Sequence, residues 1–214
     1  MLELWGRKNA YNVQKVLWML AELGLEYRHH DLGSQSGDLH SEAYLAINPH
    51  ARIPSLRDQG EVIWESNSIL RYLAAEYSAG DLWPQQALTR SRAERWMDWE
   101  LSKLQNDFID LFWGYYRCPE KDRDLAVIEQ ARKRCDAHFR LLDAHFREHA
   151  YLAGERFTMA EIAVATCLYR YLHMGLNLQL PARVADWYQR LATRAAYRAS
   201  IMVPFDELRA REEF

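Results

Sequence analysis

The stretch from Asn48 to Tyr72 constrains this chain more than any other. It reads Asn48-Pro49-His50-Ala51-Arg52-Ile53-Pro54-Ser55-Leu56, a turn at Asp58-Gln59-Gly60, a short apolar run Val62-Ile63-Trp64, then Glu65-Ser66-Asn67-Ser68 opening a helix. The residue before a proline is pushed toward extended geometry. The backbone groups of Ile53 are then left to pair with a ligand that lies down like one more strand. The N–H groups at the start of the following helix, with Ser66 beside them, suit a carboxylate. The segment is therefore a compact site for an extended, charged small molecule.

On either side, the first 80 residues alternate strand and helix signals. Leu2–Trp5 is a strand candidate. From Tyr11 to Leu23, Val13, Val16, Leu17 and Leu20 fall on one helical face, and Gly24 stops the helix. Glu26–His30 is a second strand candidate, and Ser41–Ile47 a short helix ended by Asn48-Pro49. A hairpin and a helix from Glu65 to Tyr77 complete a βαβα-ββα order. Ser78-Ala79-Gly80-Asp81-Leu82-Trp83-Pro84 reads as a linker, because glycine and proline break the pattern.

From Leu88 onward the signals are helical. Trp96, Trp99, Leu104, Phe108, Leu111, Phe112 and Tyr115 mark one stripe; Leu125, Ile128, Cys135, Phe139, Leu142 and Phe146 mark another. Thr158-Met159-Ala160-Glu161 is a capping box, with Phe157 and Ile162 placed as its staple. The helix behind it, Ile162 to Leu172, is apolar on most sides, which predicts a central position. The division expected is residues 1–80 and 88–214.

Composition narrows the class. A chain of 214 residues with 49% apolar and aromatic residues can bury a real core. The formal charge of −3 argues against a dedicated nucleic-acid binder. No run of about 18 apolar residues occurs, so no spanning helix and no membrane partner are expected. The N-terminus does not read as a signal peptide. The cysteines Cys118, Cys135 and Cys167 form no CxxC or metal spacing, which fits a reducing cytoplasm.

The Asn48–Tyr72 segment resembles the glutathione-binding half of the cytosolic glutathione S-transferase family. Asn12-Val13-Gln14-Lys15-Val16-Leu17-Trp18 is similar to the first helix of its plant phi-class and many bacterial members. Phe157–Ala163 resembles the capping-box segment of its second domain, and Trp187-Tyr188 with Ala196-Tyr197 its last helices. The ordered set covers nearly the whole chain. The resemblance implies an α/β thioredoxin-like N-terminal domain followed by an all-α C-terminal domain. It implies a cis Pro54, an Ile53 backbone paired with the cysteinyl part of glutathione, and Glu65 and Ser66 on the γ-glutamyl end. It places Arg52 and His40 near the glycyl carboxylate, though both residue types often sit exposed. It also implies a homodimer, with Glu65–Tyr77 and Ser91–Lys103 as contact strip. Glu65 and Ser66 also read as ordinary helix-start residues.

Glutathione conjugation needs the thiolate. An isolated thiol has a pKa of about 8.5, so lowering it by roughly two units is worth about 2.7 kcal/mol. Where the phi-like pattern has a serine, this chain has Ala10. Asn12 and Asn9 carry amides able to donate to a sulfur anion, and Tyr11 a hydroxyl. The expectation is that Asn12 and the backbone N–H groups around Ala10–Asn12 stabilise the thiolate, with Asn9 and Tyr11 as further candidates. The competing reading is that Asn9 caps the helix and the other two fill its first turn.

Tyr11, Phe108, Phe112, Trp113 and Tyr116 are candidates for a pocket accepting flat apolar electrophiles, although such a stripe is most often core. His145-Phe146-Arg147-Glu148-His149, with His138 upstream, fits the written pattern of an inverted zinc-protease motif. No third-ligand segment accompanies it, and no metal is expected. His29 and His30, adjacent on a strand, point to opposite faces. The Arg90–Arg95 and Arg209–Arg211 stretches read as exposed helix.

The leading expectation is an enzyme that adds the sulfur of glutathione, its co-substrate, to small hydrophobic electrophiles in detoxification. The alternatives are a glutathione-dependent peroxide or disulfide reductase and a non-catalytic glutathione-binding module, for which the loss at Ala10 is the expected kind of change.

Overall fold

The computed structural model describes residues 1–33, 37–80 and 82–211. Asp81, part of the expected linker, lies outside them. Four strands, β1 (Leu2–Trp5), β2 (Tyr27–His30), β3 (Ser55–Asp58) and β4 (Glu61–Trp64), form one sheet in the order β2-β1-β3-β4. β2 runs parallel to β1, while β3 and β4 are antiparallel to their neighbours. The β3–β4 turn has Gln59 at φ 49° and Gly60 at φ 89°. Two positive φ values in succession match the twist of the flanking strands.

Helix α1 (Tyr11–Glu22) stops as its sequence requires. Gly24 takes φ 62°, and Leu25 N–H donates to the Leu20 carbonyl at 3.0 Å. The short α2 (Glu42–Leu45) is capped by the Ser41 hydroxyl. α3 (Ser66–Tyr77) packs against α1, where Ile69, Leu70, Leu73 and Ala74 are all buried. This sheet and its three helices give the thioredoxin-like part of the chain.

The remainder is helical. One long rod runs from Ala87 to Arg117: α4 (Ala87–Trp99), a wide π segment Glu100–Leu104, α5 (Gln105–Leu111) and a second π segment Phe112–Arg117. α6 (Leu125–His145) packs beside it and is capped by Asp124. The α6 stripe is buried at Ile128, Cys135, Phe139 and Leu142. Leu125 departs from it: at the first turn of α6 it is 74% exposed.

The capping box forms as its residues specify. Glu161 accepts from the backbone N–H of Thr158 at 2.7 Å, and the Thr158 hydroxyl accepts from Ala160 N–H at 3.3 Å. The expected Ile162–Leu172 helix is two helices, α7 (Met159–Ala165) and α8 (Leu168–His173). Thr166 donates its hydroxyl back to the Ile162 carbonyl at 2.7 Å, a bond that competes with the helical ladder at the break. Both halves are buried, as the apolar pattern demands. α9 (Ala182–Ala192) and α10 (Ala195–Ser200) follow, and α10 packs on α1. Arg209 is not on an exposed helix. It lies beyond a 3-10 turn, its guanidinium 4.5 Å from the Tyr116 ring centre.

Candidate functional site

The sheet register assembles the site. Trp5 pairs with Ser55, and Ser55 with Trp64. The residues one step beyond this row are Gly6, Pro54 and Glu65, so three segments distant in sequence leave the sheet at one edge. These are the loop into α1, the Ile53–Pro54 link and the start of α3. Adjacent strands lie about 4.8 Å apart, so the edge from β1 to β4 spans roughly 10 Å. An extended tripeptide reaches about 10 Å. Gly6 is required here: at φ 139°, a Cβ would meet Val13 Cγ2 at 2.5 Å and Ile53 Cβ at 3.1 Å. Its bare backbone lets the α1 loop close against Ile53.

The Ile53–Pro54 bond is cis. The carbonyl of Arg52 is held by the Tyr44 hydroxyl at 2.6 Å and by Asn48 Nδ2 at 2.9 Å. Tyr44 and Asn48 also reach the Ser55 hydroxyl, at 3.0 and 3.3 Å. Both sides of the cis link are thus pinned by buried polar groups. Ile53 itself makes no backbone hydrogen bond among the described residues. Its N–H and C=O stand ready for an extended partner.

At the next station, Glu65 takes φ 68° and ψ 114° immediately before α3. That conformation is costly for a residue with a side chain, by about 1–3 kcal/mol, and such outliers cluster at ligand clamps. No side chain caps α3, so its first N–H groups lack intrahelical partners. Ser66 beside them is 4% exposed. Helix capping, the competing reading of Glu65 and Ser66, is absent, which leaves both side chains uncommitted. Arg52 and His40 are exposed on the surface, and His40 N–H is held by Asp38 at 2.7 Å.

The α1 end is different. Ala10 is the cap residue, 7% exposed, with φ −80° and ψ 133° and no side-chain oxygen to offer. Asn9 does not cap the helix. Its Nδ2 donates to Glu207 at 2.5 Å and its carbonyl accepts from Arg170 at 2.6 Å. Tyr11 donates its one hydroxyl proton to Glu100 Oε1 at 3.0 Å, and burial with the nearby Glu100 charge pushes its pKa well above the ordinary tyrosine value. A hydroxyl so committed is no donor to a sulfur anion, which corrects that part of the expectation. Asn12 remains; its Oδ1 is buried without a hydrogen-bond partner.

Sequence reasoning overlooked Glu100. It lies within one wide turn of the rod and is fully buried. Lys15 Nζ meets both its oxygens at 2.9 and 3.0 Å and Gln105 Oε1 at 2.8 Å, while Asn67 Nδ2 approaches Oε2 at 3.4 Å. Asn67 directly follows Ser66, so this buried ion pair joins the start of α3 to the first turns of α1. The signal was present: Trp96, Glu100 and Leu104 share a four-residue spacing, which sets a carboxylate on an apolar stripe.

The aromatic candidates are mostly core. Phe108, Phe112 and Tyr116 are buried and stack in sequence, with ring centres 5.7 and 5.1 Å apart. Tyr11 meets Phe108 at 5.5 Å, whereas Trp113 is exposed. A cavity of about 930 Å³ opens elsewhere, between α1, β2 and the C-terminal segment, bordered by Leu17, Tyr27, Pro204 and Leu208. His145 bonds the Tyr151 carbonyl and His138 bonds Asp107, so these rings serve packing and polar contacts in the helical part.

Residues 12–76 match the N-terminal domain of glutathione S-transferases, and residues 126–190 match the C-terminal domain. The chain belongs to the glutathione S-transferase family. It is 40% identical over 206 residues to glutathione S-transferase GstB of Escherichia coli (strain K12), covering 95% of this chain and 99% of that protein. Glutathione S-transferase 3 of Zea mays is 28% identical, covering 94% of this chain and 93% of its own. The crystal structure of the theta class glutathione S-transferase from Xanthomonas axonopodis pv. citri, with glutathione bound, superposes with a TM-score of 0.89. It shares 38% identity and covers 95% of this chain and 98% of its own. Among the described residues, no helix is long and apolar enough to cross a membrane.

Proposed function

We propose that this protein is a glutathione transferase that binds glutathione along the Gly6–Ile53–Glu65 edge and transfers its sulfur to small hydrophobic electrophiles. The observation that carries this is the unpaired backbone of Ile53 beside cis Pro54, in line with an uncapped helix start at Ser66. The cysteinyl residue pairs with Ile53. The γ-glutamyl α-carboxylate takes the Ser66 hydroxyl and the first N–H groups of α3, where the helix dipole favours an anion. Glu65 takes the α-amino group. Arg52 and His40 serve the glycyl carboxylate from the solvent side.

The sulfur then lies at the start of α1. Its proton passes to water, the thiolate forms the S–C bond, and the electrophile's leaving group departs with the bonding pair. With Ala10 in place of a hydroxyl, and Tyr11 and Asn9 held by Glu100 and Glu207, stabilisation of the anion falls to Asn12 and the first N–H groups of α1. Turnover is accordingly low. The protein works as a cytoplasmic homodimer in detoxification, through the Glu65–Tyr77 and Ser91–Lys103 strips. Its units are residues 1–80 and 88–214, and it requires no metal.

A binding-only module is the second reading, favoured by Ala10 alone. Reduction through Cys135 or Cys167 is disfavoured: burial pushes Cys135 up to about 12 and Cys167 well above its ordinary value, and a buried thiol is a poor nucleophile. Calorimetry with millimolar glutathione, paired with turnover of an activated aryl halide, decides. Binding with turnover supports the transferase, binding alone the module, and no binding removes both.

A further inference from the structure

Arg170 has no part in the glutathione contacts above, yet it is a buried charge beside them. It sits on α8, in the segment whose sequence is apolar on most sides, and is 4% exposed. No carboxylate forms an ion pair with it among the described residues; its hydrogen bonds go from Nη2 to the neutral Asn9 carbonyl at 2.6 Å and to Gln14 Oε1 at 2.8 Å. Its guanidinium faces Phe112 and Phe205, with ring centres 5.5 and 5.8 Å away. Burial lowers its pKa to about 10, with Arg7 and Arg117 adding repulsion, so it stays charged at neutral pH.

A buried cation without a counter-ion is costly, and it persists where something offsets it. Both of its partners belong to the thiol end of the site. Asn9 directly precedes Ala10, and Gln14 is in the first turns of α1, itself anchored by Nε2 to the Ser200 carbonyl at 3.1 Å. Arg170 therefore clasps the loop and the helix whose junction lacks a hydroxyl.

We propose that Arg170 is a positioning residue for the thiol: it fixes the Asn9–Ala10 link and gives the start of α1 a permanent positive charge that favours the sulfur anion of bound glutathione. This rests on the glutathione reading above. The bound anion is the missing counter-charge, and the thiol proton leaves to water. The other ionisable groups that act on the guanidinium are Tyr11, Arg7, Tyr116 and Arg117, and Glu207 reaches the same loop by accepting from Asn9 Nδ2. Glu100 accepts from Tyr11 and is paired with Lys15. Among the described residues, the hydrogen bonds of Arg170 itself go to neutral oxygens and not to a carboxylate.

The test compares Arg170→Gln, which keeps an amide donor for the Asn9 carbonyl but removes the charge, with Arg170→Lys, which keeps the charge. Each folded variant, checked by thermal melting, is titrated with glutathione while thiolate absorbance is followed against pH. S-methylglutathione, which has no ionisable sulfur, reports binding of the rest of the tripeptide. The expected result is a thiol pKa raised by about one unit in Arg170→Gln, about tenfold less thiolate below that pKa. S-methylglutathione affinity stays at the wild-type value, and Arg170→Lys restores the low pKa. An unchanged thiol pKa in Arg170→Gln overturns the proposal, as does an equal loss of affinity for both ligands, which marks a merely structural role. If the glutamine variant does not fold, the lysine variant decides: a thiol titrating as in wild type supports the charge, and one titrating as in free solution removes it. Wild-type protein that binds neither ligand refutes the glutathione reading itself, a result distinct from those.

Discussion

Two helices of this protein begin at the same edge of its sheet, and they begin in opposite ways. α3 starts at Glu65-Ser66 with a strained backbone and a buried hydroxyl, all supplied within a few residues of one another. α1 starts at Ala10 with no polar side chain of its own. Its surroundings come from Glu100, Arg170, Ser200 and Glu207, residues 90 to 200 positions away in the chain. The end that would hold the amino-acid part of a tripeptide takes its strained backbone and hydroxyl from adjacent residues, with Asn67 tied to Met97 and Glu100 of the helical half. The end that would hold its sulfur is built by the helical half of the chain. A change in the first should alter affinity, and a change in the second should alter the chemistry.

The strongest test of that contrast is Lys15→Met. It leaves Glu100 buried without its partner, and breaking a buried pair costs about 3–5 kcal/mol of stability. The denaturation midpoint should fall by a corresponding amount, and in whatever fraction remains folded turnover should suffer more than glutathione affinity. Affinity lost first would contradict the division between the two helix starts.

Ser66→Ala comes next. A hydrogen bond to a charged group contributes about 1.5–3 kcal/mol, so calorimetry should show glutathione affinity reduced by roughly one to two orders of magnitude. The thiol pKa of whatever glutathione binds should not move.

Ala10→Ser probes the other end. Restoring the hydroxyl should lower the bound thiol pKa by about one unit, worth about 1.4 kcal/mol, and raise turnover of an aryl halide with affinity almost unchanged. A gain in affinity without a gain in rate would mean that the two ends are not separable.

A third helix start, α7, whose capping box is made by its own Thr158 and Glu161, carries the pH-dependent effect. Burial raises Glu161 from 4.5 to about 7, against the hydrogen bonds from Leu152 and Thr158 that favour its charged form. Because the folded pKa is the higher one, the native state binds more protons than the unfolded chain between these values. The resulting stability is fully present below about pH 4.5 and is lost as pH rises through about 7. Melting temperatures measured across that window should fall less steeply with rising pH in Glu161→Gln than in wild type.

Much of the architecture was legible in the residues because its signals are local. The Gln59-Gly60 turn, the Gly24 stop, the Thr158–Glu161 box and the proline ahead of β3 each fix a backbone conformation within a few residues. The stripe on α6 is buried as its period predicts at Ile128, Cys135, Phe139 and Leu142 but not at Leu125, because periodicity does not say which turns of a helix a neighbour covers. The α7–α8 break was hidden for a related reason: apolar residues continue across it, and only the Thr166 hydroxyl marks the interruption.

Propensity, turn chemistry and spacing along single segments are enough to specify a βαβα-ββα unit followed by helices, an extended backbone at Ile53, and a polar helix start at Glu65-Ser66. That Tyr11 gives its proton to Glu100, that Asn9 faces Glu207 instead of capping α1, and that Arg170 lies buried against the same loop emerge only once the chain is packed. Hydrogen bonds and charges act over a few ångströms whatever the distance along the chain. Their partners are therefore fixed by how the helical half docks on the sheet, which no local pattern records.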